Sequence, residues 1–210
     1  MISLSEFASK RLLNEYGLPI TKEFLAKDAE EAVKVANSLG YPVVAKLCGE
    51  TIQHKTELNG VRLNLQNRTE LEVAIAELED ISGDNHEFLI AEQVHGKREF
   101  IAGYHIDDDF GPVLMFGLGG IFTEVLSDVN FRLIPCERYD MELMINEIKS
   151  TRLLGSFRGE EEVSLQDLIL ALESIAACGL GNPDILSIDV NPLIISKSKP
   201  VAVDALVVKS

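Results

Sequence analysis

The sequence is short of cations. Lysine and arginine number 19 against 34 aspartates and glutamates in 210 residues, which gives a formal net charge of −15. Binding to nucleic-acid phosphates depends on clustered cations, so this balance argues against a nucleic-acid partner. The acidity is more typical of a solubility feature than of a functional one. Any polyanionic ligand therefore has to be met by a few local cations and by backbone amides.

Cysteines are few, and long apolar runs are absent from the sequence. Cys48, Cys136 and Cys178 are widely spaced, and no Cys-x-x-Cys motif occurs, so free thiols in a reducing compartment are favoured over disulfides or a zinc site. No run reaches the roughly 20 apolar residues that a membrane span requires. Residues 1–6 lack the basic start and apolar core of a signal peptide. We therefore predict a cytoplasmic protein with no membrane partner.

The apolar periodicity predicts a mixed chain of helices and strands, long enough for one sizeable core or two small subdomains. Helical spacing and capping residues predict helices near 5–16, 28–39, 69–82, 139–149 and 164–178. Apolar or alternating runs predict strands at 21–26, 41–47, 61–65, 87–94, 97–106, 113–116, 121–126, 185–195 and 200–208.

A glycine-rich stretch between two predicted strands is the feature around which the chain is organised. Gly117, Gly119 and Gly120 follow an apolar strand, Glu124 lies on the next strand, and Arg132 lies on a third short run. Glycines allow positive φ and bring backbone N–H groups against a group that leaves no room for a Cβ. A phosphate or a nucleotide fits that description, and an ordinary glycine-rich hairpin turn is the alternative.

Two polar features stand out in the first half of the chain. Lys46 lies within the apolar strand 41–47. A buried lysine usually has an anionic partner because an unpaired buried charge costs several kcal/mol, and an edge-strand lysine that points to water is the alternative. The following loop carries His54, Lys55 and Thr56, which offer a nucleophile or proton carrier, a cation and a hydroxyl. A solvated loop is the alternative for this triplet.

Three oxygen-bearing side chains are expected to converge near the C terminus. Period-two alternation places Asp189 and Asn191 on one face of their strand, with Ile188 and Val190 on the other. A hairpin would bring Asp204 close to them. Two carboxylates and an amide oxygen make a hard site suited to Mg²⁺ with nucleotide phosphates, and isolated polar residues on a solvated sheet face are the alternative.

Taken together, these residues resemble the ATP-grasp domain of nucleoside-diphosphate-forming acyl-CoA synthetases. The likeness runs in order along nearly the whole chain, and it rests on Lys46, His54-Lys55-Thr56, Glu92-Gln93-Val94, Glu99, the run 116–125, Phe131-Arg132-Leu133, the run 189–193 and Asp204. Specifically, the chain resembles the separate β subunit of an ADP-forming acetyl-CoA synthetase. It is more distantly similar to the β subunit of succinyl-CoA synthetase.

The resemblance implies an α+β ATP-grasp fold in which two subdomains, residues 1–93 and 94–210, enclose ATP or ADP and Mg²⁺. In that family the matching positions have the following roles. Lys46 would hold the phosphates. Adenine would be bound by Glu92, Gln93 and Val94, and ribose by Glu99. The residues near the phosphates would be Gly117, Gly119, Gly120 and Arg132, Mg²⁺ would be ligated by Asn191 and Asp204, and Asp189 would lie beside the phosphoryl-transfer path. Phosphoryl transfer depends mainly on positioning and charge neutralisation, so these few cations suffice.

The resemblance also implies that His54 carries a phosphoryl group. In the family, an acyl phosphate and a first phosphohistidine form on an α subunit, and the phosphoryl group then passes to the β subunit and ADP. The sequence contains no CoA-binding Rossmann segment, so we expect an α partner in an α2β2 heterotetramer. The family commonly has Asp-x-Gly-Gly just after the histidine, whereas here Glu57 keeps the acid and Asn59 replaces a glycine.

Other interpretations of the sequence lead to different functions. A non-catalytic nucleotide-sensing domain of a regulatory complex would share the fold, but it would not need the residues for phosphoryl transfer. A succinyl-CoA-synthetase-like ligase subunit and a free-standing carboxylate–amine ligase are the others, and the His54 loop argues against the latter. The acyl group is left open by the sequence, and the run 92–94 gives no reason to prefer guanine over adenine.

Overall fold

A computed structural model describes residues 1–49, 59–82, 87–120, 127–156 and 158–210, with the backbone alone of Ser82. Internal contacts divide these residues into two units. The large unit comprises Met1–Leu4, Ala8–Ile20 and Val94–Ser210, and the small unit comprises Ser5–Phe7 and Thr21–Gln93. One boundary between the units lies between residues 93 and 94, and the predicted subdomains 1–93 and 94–210 stay a prediction. Most of the first twenty positions nevertheless pack with the C-terminal segment, because Leu13 and Leu18 belong to its core.

The helices and strands are as follows. The helices are α1 (Glu6–Glu15), α2 (Ala29–Leu39), α3 (Arg68–Ser82), α4 (Arg138–Asn146) and α5 (Leu165–Gly181). The strands are β1 (Ile2–Ser3), β2 (Glu23–Ala26), β3 (Val43–Cys48), β4 (Val61–Leu65), β5 (Glu87–Glu92), β6 (Glu99–Asp107), β7 (Gly111–Leu118), β8 (Val129–Leu133), β9 (Ile185–Ser196), β10 (Lys199–Ala202) and β11 (Ala205–Lys209). The predicted α+β class is confirmed.

The small unit is an antiparallel sheet with strand order β2-β5-β3-β4 and a helix-covered face. Asp28 caps α2, since its carboxylate accepts a hydrogen bond from the Glu31 N–H at 2.8 Å. Strand β3 is buried along its whole length. Its alternate residues Val43, Ala45 and Leu47 belong to the hydrophobic core that α2 and α3 help to form. Lys46 therefore projects from the other face, because successive side chains of a strand alternate.

The large unit is an antiparallel sheet with strand order β1-β11-β9-β6-β7-β8, in which β10 also pairs with β9. Helix α5 is largely apolar, and its buried residues join the core of this unit. The register aligns Ile188, Tyr104 and Leu114 on the core face of three adjacent strands. Asp189 lies on the opposite face, and there it faces Gly103 of β6.

The structure differs from the predicted strands in one place that matters for the site. The predicted strand 200–208 is two strands, β10 and β11, which pair with different parts of β9. Pro192 has no N–H to continue the ladder, and its carbonyl accepts a hydrogen bond from the Val203 N–H at 3.0 Å. The predicted strand 121–126 lies outside the described residues. In the part of the chain that the structure describes, no helix is long and apolar enough to span a bilayer.

Candidate functional site

The polar residues at the junction of β9, β10 and β11 come together as the sequence predicts. The Asn191 N–H donates a hydrogen bond to the Asp204 carbonyl oxygen at 3.2 Å, and Asp189 lies opposite Leu206 in the ladder. Asp189 and Asn191 are exposed and Asp204 is half-buried, whereas Ile188 and Val190 are buried. The predicted faces of the strand and the predicted approach of Asp204 are thus confirmed.

Two carboxylates in this group repel each other. Asp189 is accessible to solvent, yet the surrounding protein partly desolvates its carboxylate. That desolvation is the larger cause of its raised pKa, and the Asp204 carboxylate is the smaller. A bound cation would stabilise the charged form of Asp189 and so offset both causes of the raised pKa. Within the described residues no group of three or more His, Cys, Asp or Glu side chains could hold a metal. A metal would thus also need the Asn191 amide oxygen, water or ligand oxygens, which is the usual environment of Mg²⁺.

Close contact with protein backbone explains the glycines of the central stretch. A Cβ on Gly117 would lie 2.5 Å from the Asp128 carbonyl oxygen, and one on Gly119 would lie 2.7 Å from the Phe100 carbonyl carbon. Gly120 has a φ of +73°, and a Cβ there would lie 2.9 Å from a carboxylate oxygen of Glu99. Packing against backbone therefore requires glycine at positions 117 and 119, whereas the positive φ favours glycine at position 120. The same packing brings Glu99 and Gly120 together, and their roles at a nucleotide site stay a prediction.

Arg132 is not brought together with the carboxylate group. It lies directly opposite Leu114, a fully buried core residue, so its side chain belongs to the helix-covered face of the sheet. There its guanidinium forms a 2.6 Å ion pair with Glu147, just beyond the end of α4. Asp189 lies on the other face of the same sheet. The role of Arg132 near the phosphates stays a prediction.

Lys46 is buried against a carboxylate of the protein itself. Its ammonium nitrogen lies 2.7 Å from an oxygen of Glu6, and the two side chains are 5% and 1% exposed, respectively. The expectation of an anionic partner is confirmed, and the alternative of a solvated edge-strand lysine is wrong because β3 lies between β5 and β4. The sequence alone gave no signal for Glu6, since 40 positions separate the two residues.

The expected adenine-binding residues take part in hydrogen bonds of the small unit. The Glu92 N–H donates to the Lys22 carbonyl oxygen and its carboxylate accepts from the Lys22 N–H, both at 2.9 Å. The Gln93 N–H donates to the Pro42 carbonyl oxygen at 3.3 Å. Its side-chain oxygen accepts from the Asn64 N–H at 2.9 Å. Their backbone donors are thus engaged, and Val94, which is half-buried, begins the C-terminal segment of the large unit.

His54 and Glu57 lie outside the described residues, and so do Lys55 and Thr56. The described end of that segment begins at Asn59, which has a φ of 54°. Asparagine is one of the few residues other than glycine that adopts this left-handed conformation readily. Asn59 therefore occupies a conformation that glycine also adopts without strain. The adjacent Gly60 carbonyl accepts a hydrogen bond from the Leu47 N–H at 2.9 Å.

Asp128 supports the glycine stretch and was not singled out by the sequence. Its carboxylate accepts hydrogen bonds from the Lys149 and Ser150 N–H groups at 2.6 and 2.8 Å. Burial alone would raise the pKa of Asp128, but hydrogen bonds from Ser150 and Lys149 outweigh it and lower that pKa. Its carbonyl oxygen accepts from the Leu118 N–H at 2.9 Å. Asp128 thus connects the glycine stretch to the segment after α4.

Arg98 is a further structural residue that the sequence did not reveal. Its side chain is 1% exposed and forms a 3.0 Å ion pair with Glu160. The guanidinium also donates hydrogen bonds to the carbonyl oxygens of Leu153, Gly155 and Glu161. It thereby fixes the loop before α5 next to Glu99. The only sequence feature that hinted at this role was the position of Arg98 directly before Glu99.

Comparison with known proteins gives likenesses over the whole chain. The family model of the ATP-grasp domain matches residues 2–208. The β subunit of ADP-forming acetate–CoA ligase I from Pyrococcus furiosus is 36% identical over 208 residues, which cover 96% of this chain and 90% of that protein. A solved structure of acetyl-coenzyme A synthetase 1 from Candidatus Korarchaeum cryptofilum, with coenzyme A, Ca-AMPCP and HgCl⁺, has a TM-score of 0.95 at 35% identity, covering 100% of this chain and 94% of that chain. A structure of the same enzyme with coenzyme A and Mg-AMPPCP, its phosphohistidine segment pointing towards the nucleotide binding site, has a TM-score of 0.87 at 35% identity, covering 99% and 93%.

Proposed function

The chain belongs to the ATP-grasp domain family, and we propose that it is the nucleotide-binding β subunit of an ADP-forming acyl-CoA synthetase. The enzyme interconverts acyl-CoA, ADP and phosphate with the free acid, CoA and ATP, and acetyl-CoA is the acyl-CoA that its relatives' names favour. One observation carries the proposal: the likeness extends over nearly the full length of a separate β subunit. ATP or ADP and Mg²⁺ are its cofactors, as in the related structure with Mg-AMPPCP.

Asn191 and Asp204 are the proposed Mg²⁺ ligands. Their oxygen atoms suit a hard cation, and Asp189 adds a second carboxylate beside them. Bound Mg²⁺ would neutralise charge on the nucleotide phosphates during transfer. Asp189 would lie beside the transferred phosphoryl group, on the same face of β9 as Asn191.

The remaining nucleotide contacts are assigned residue by residue. In the small unit, Lys46 would bind the phosphates, and Glu92 and Gln93 would bind adenine through groups other than their engaged N–H groups. In the large unit, Val94 would continue the adenine contact, Glu99 would bind ribose, and Gly117, Gly119 and Gly120 would lie near the phosphates. The contact between Glu99 and Gly120 supports this arrangement. Arg132 would act near the phosphates only after leaving Glu147.

His54 is the proposed phosphoryl carrier of this subunit. The phosphoryl group would leave a phosphohistidine of the α partner as a P–N bond forms at the His54 imidazole. It would then pass to ADP, where a P–O bond forms as the P–N bond of His54 breaks. Imidazole suits this role because it is largely neutral near pH 7 and its unprotonated nitrogen is nucleophilic. The phosphohistidine segment that points towards the nucleotide site in the related structure supports such a transfer.

A separate α subunit would supply the CoA site, the acyl site and the first phosphohistidine. The name of the Pyrococcus relative as a β subunit supports this division of labour. We propose an α2β2 assembly in the cytoplasm. The free thiols of Cys48, Cys136 and Cys178 fit that location.

The test combines the purified chain with its α partner, CoA, Mg²⁺ and γ-labelled ATP. We expect acid-labile, base-stable label on the wild-type chain and none on His54→Ala. His95→Ala is the matched control, because it removes an exposed histidine from the described part of the chain and should leave the label unchanged. Label on the partner alone would remove His54 from the relay. Nucleotide binding without label on either subunit would instead favour the nucleotide-sensing function.

A further inference from the structure

Glu6 and Lys46 form the most deeply buried ion pair described in the small unit. Their oxygen and nitrogen atoms lie 2.7 Å apart, and the two side chains are 1% and 5% exposed. Lys46 projects from the face of the sheet opposite Val43, Ala45 and Leu47, whose side chains belong to the core formed with α2 and α3. The lysine is therefore set apart from the apolar core, and its charge is matched by a carboxylate.

This pairing is at odds with phosphate binding by Lys46. A buried lysine paired with a glutamate contributes no net positive charge, whereas nucleotide phosphates are strongly anionic. An approaching phosphate would meet the Glu6 carboxylate together with the ammonium group. Neither side chain is accessible, so a phosphate can reach the Lys46 nitrogen only if the pair opens.

We propose that Glu6 is the resting counter-ion of Lys46 and that a nucleotide phosphate displaces it on binding. This inference rests on the proposed function, in which Lys46 holds the phosphates. Glu6 then has two effects of opposite sign. It stabilises the nucleotide-free protein by matching a buried charge, and it weakens nucleotide binding because the pair must first be broken. Glu6 is thus a positioning residue that sets the nucleotide affinity through Lys46.

The direct test is the affinity of Glu6→Gln for Mg-ADP and Mg-AMPPCP, measured by titration calorimetry with the full chain. Glutamine keeps the shape of the side chain and removes its charge, so the phosphate no longer competes with the Glu6 carboxylate for the Lys46 ammonium group. We expect binding about 5- to 10-fold tighter than in wild type, together with a lower nucleotide-free melting temperature. Glu77→Gln is the matched control, since it removes the same charge from a 2.7 Å pair with Arg62 at the surface of the same unit. It should change neither quantity appreciably.

A purely structural role for Glu6 gives a different result. In that case Glu6→Gln would bind nucleotide with unchanged or lower affinity while losing stability, and the inference would be overturned. If wild type itself fails to bind nucleotide, both the proposed function and this inference fail. If wild type binds nucleotide and Glu6→Gln shows no gain in affinity, this inference alone fails.

Two further variants guard against a Glu6→Gln chain that does not fold. Glu6→Asp keeps the charge but shortens the side chain, so the pair weakens and a smaller gain in affinity is expected. The double variant Glu6→Gln/Lys46→Met should recover nucleotide-free stability relative to Glu6→Gln and lose the gain in affinity. A double variant that keeps the gain would overturn the inference, because Lys46 would not be the group that Glu6 controls.

Discussion

Lys46 and Glu6 in the small unit are almost fully buried and attract each other across 2.7 Å, whereas Asp189 and Asp204 in the large unit include an exposed carboxylate and repel each other. The first group is electrostatically complete without a ligand. The second becomes more favourable when a cation binds. Both belong to the proposed nucleotide chemistry, yet one contributes to the stability of the folded chain and the other detracts from it.

This contrast follows from where each group lies on its sheet. Lys46 lies on a strand that is buried along its length, so an unmatched charge there would be costly. Asp189 and Asn191 lie on the accessible face of β9, where water lowers the free-energy cost of repulsion. The proposed site for a divalent cation would therefore have only a small cost in stability on that face.

The largest expected effect comes from breaking the buried pair. Lys46→Met leaves the Glu6 carboxylate buried without this lysine and should lower the free energy of unfolding by about 3–5 kcal/mol. Urea unfolding measures the loss. Lys34→Met is the control because Lys34 forms an exposed pair with Glu30, and it should cost far less stability than Lys46→Met. A comparable loss of unfolding free energy in Lys46→Met and Lys34→Met would contradict the claim that burial makes the Lys46 pair costly to break.

A smaller loss is expected for the support of the glycine stretch. Asp128→Asn removes a charged acceptor of two backbone N–H groups and should cost about 1–3 kcal/mol. The pKa of Asp128 is lowered in the folded state, so its contribution is present above the unfolded pKa of about 3.9 and is lost as pH falls through the folded value. Urea unfolding between pH 2 and 7 should show this acid loss in wild type. Asp108 lies in an exposed turn, so Asp108→Asn should lose as much stability in acid as wild type does.

Asp189→Asn should raise the free energy of unfolding, whereas the two preceding variants lower it. The raised pKa of Asp189 means that the folded state binds a proton more tightly, so wild-type stability falls as pH rises from the unfolded pKa of about 3.9 through the folded value. Removing the charge should stabilise the metal-free chain at pH 7 by roughly 0.2–1 kcal/mol. Melting temperatures in EDTA measure this gain. A destabilised variant would mean that the two carboxylates do not repel.

The smallest effect is expected at the surface pair of Arg132 and Glu147. Arg132→Gln should cost at most about 1 kcal/mol, and the cost should shrink in high salt because the pair is partly exposed. Nucleotide affinity gives the functional comparison. An affinity unchanged by Arg132→Gln would limit the residue to the contact with Glu147, whereas a large loss would show that it leaves Glu147 to reach the phosphates.

The sequence predicted the features that depend on local pattern. The alternation around Asp189 and the approach of Asp204 follow from short-range periodicity and a hairpin, and the structure contains them. It also predicted that Lys46 has an anionic partner, but it could not identify Glu6, which α1 supplies from 40 positions away.

Features that depend on register between strands were beyond the sequence. The face on which Arg132 lies is set by its alignment with Leu114, and one position of slip would reverse it. The close contacts of Gly117 and Gly119 likewise depend on how β6, β7 and β8 lie beside one another. A glycine motif alone cannot tell whether its missing side chains make room for a ligand or for neighbouring backbone.

The most direct test of the account is Mg²⁺-dependent nucleotide binding at the carboxylates of Asp189 and Asp204. Titration calorimetry of ADP with the wild-type chain and with Asp204→Asn, each in Mg²⁺ and in EDTA, gives four affinities. We predict that wild type binds at least about tenfold more tightly in Mg²⁺ than in EDTA, and that Asp204→Asn loses this difference while it remains folded. Equal affinities in Mg²⁺ and EDTA for wild type, or a Mg²⁺ effect that persists in Asp204→Asn, would contradict the account.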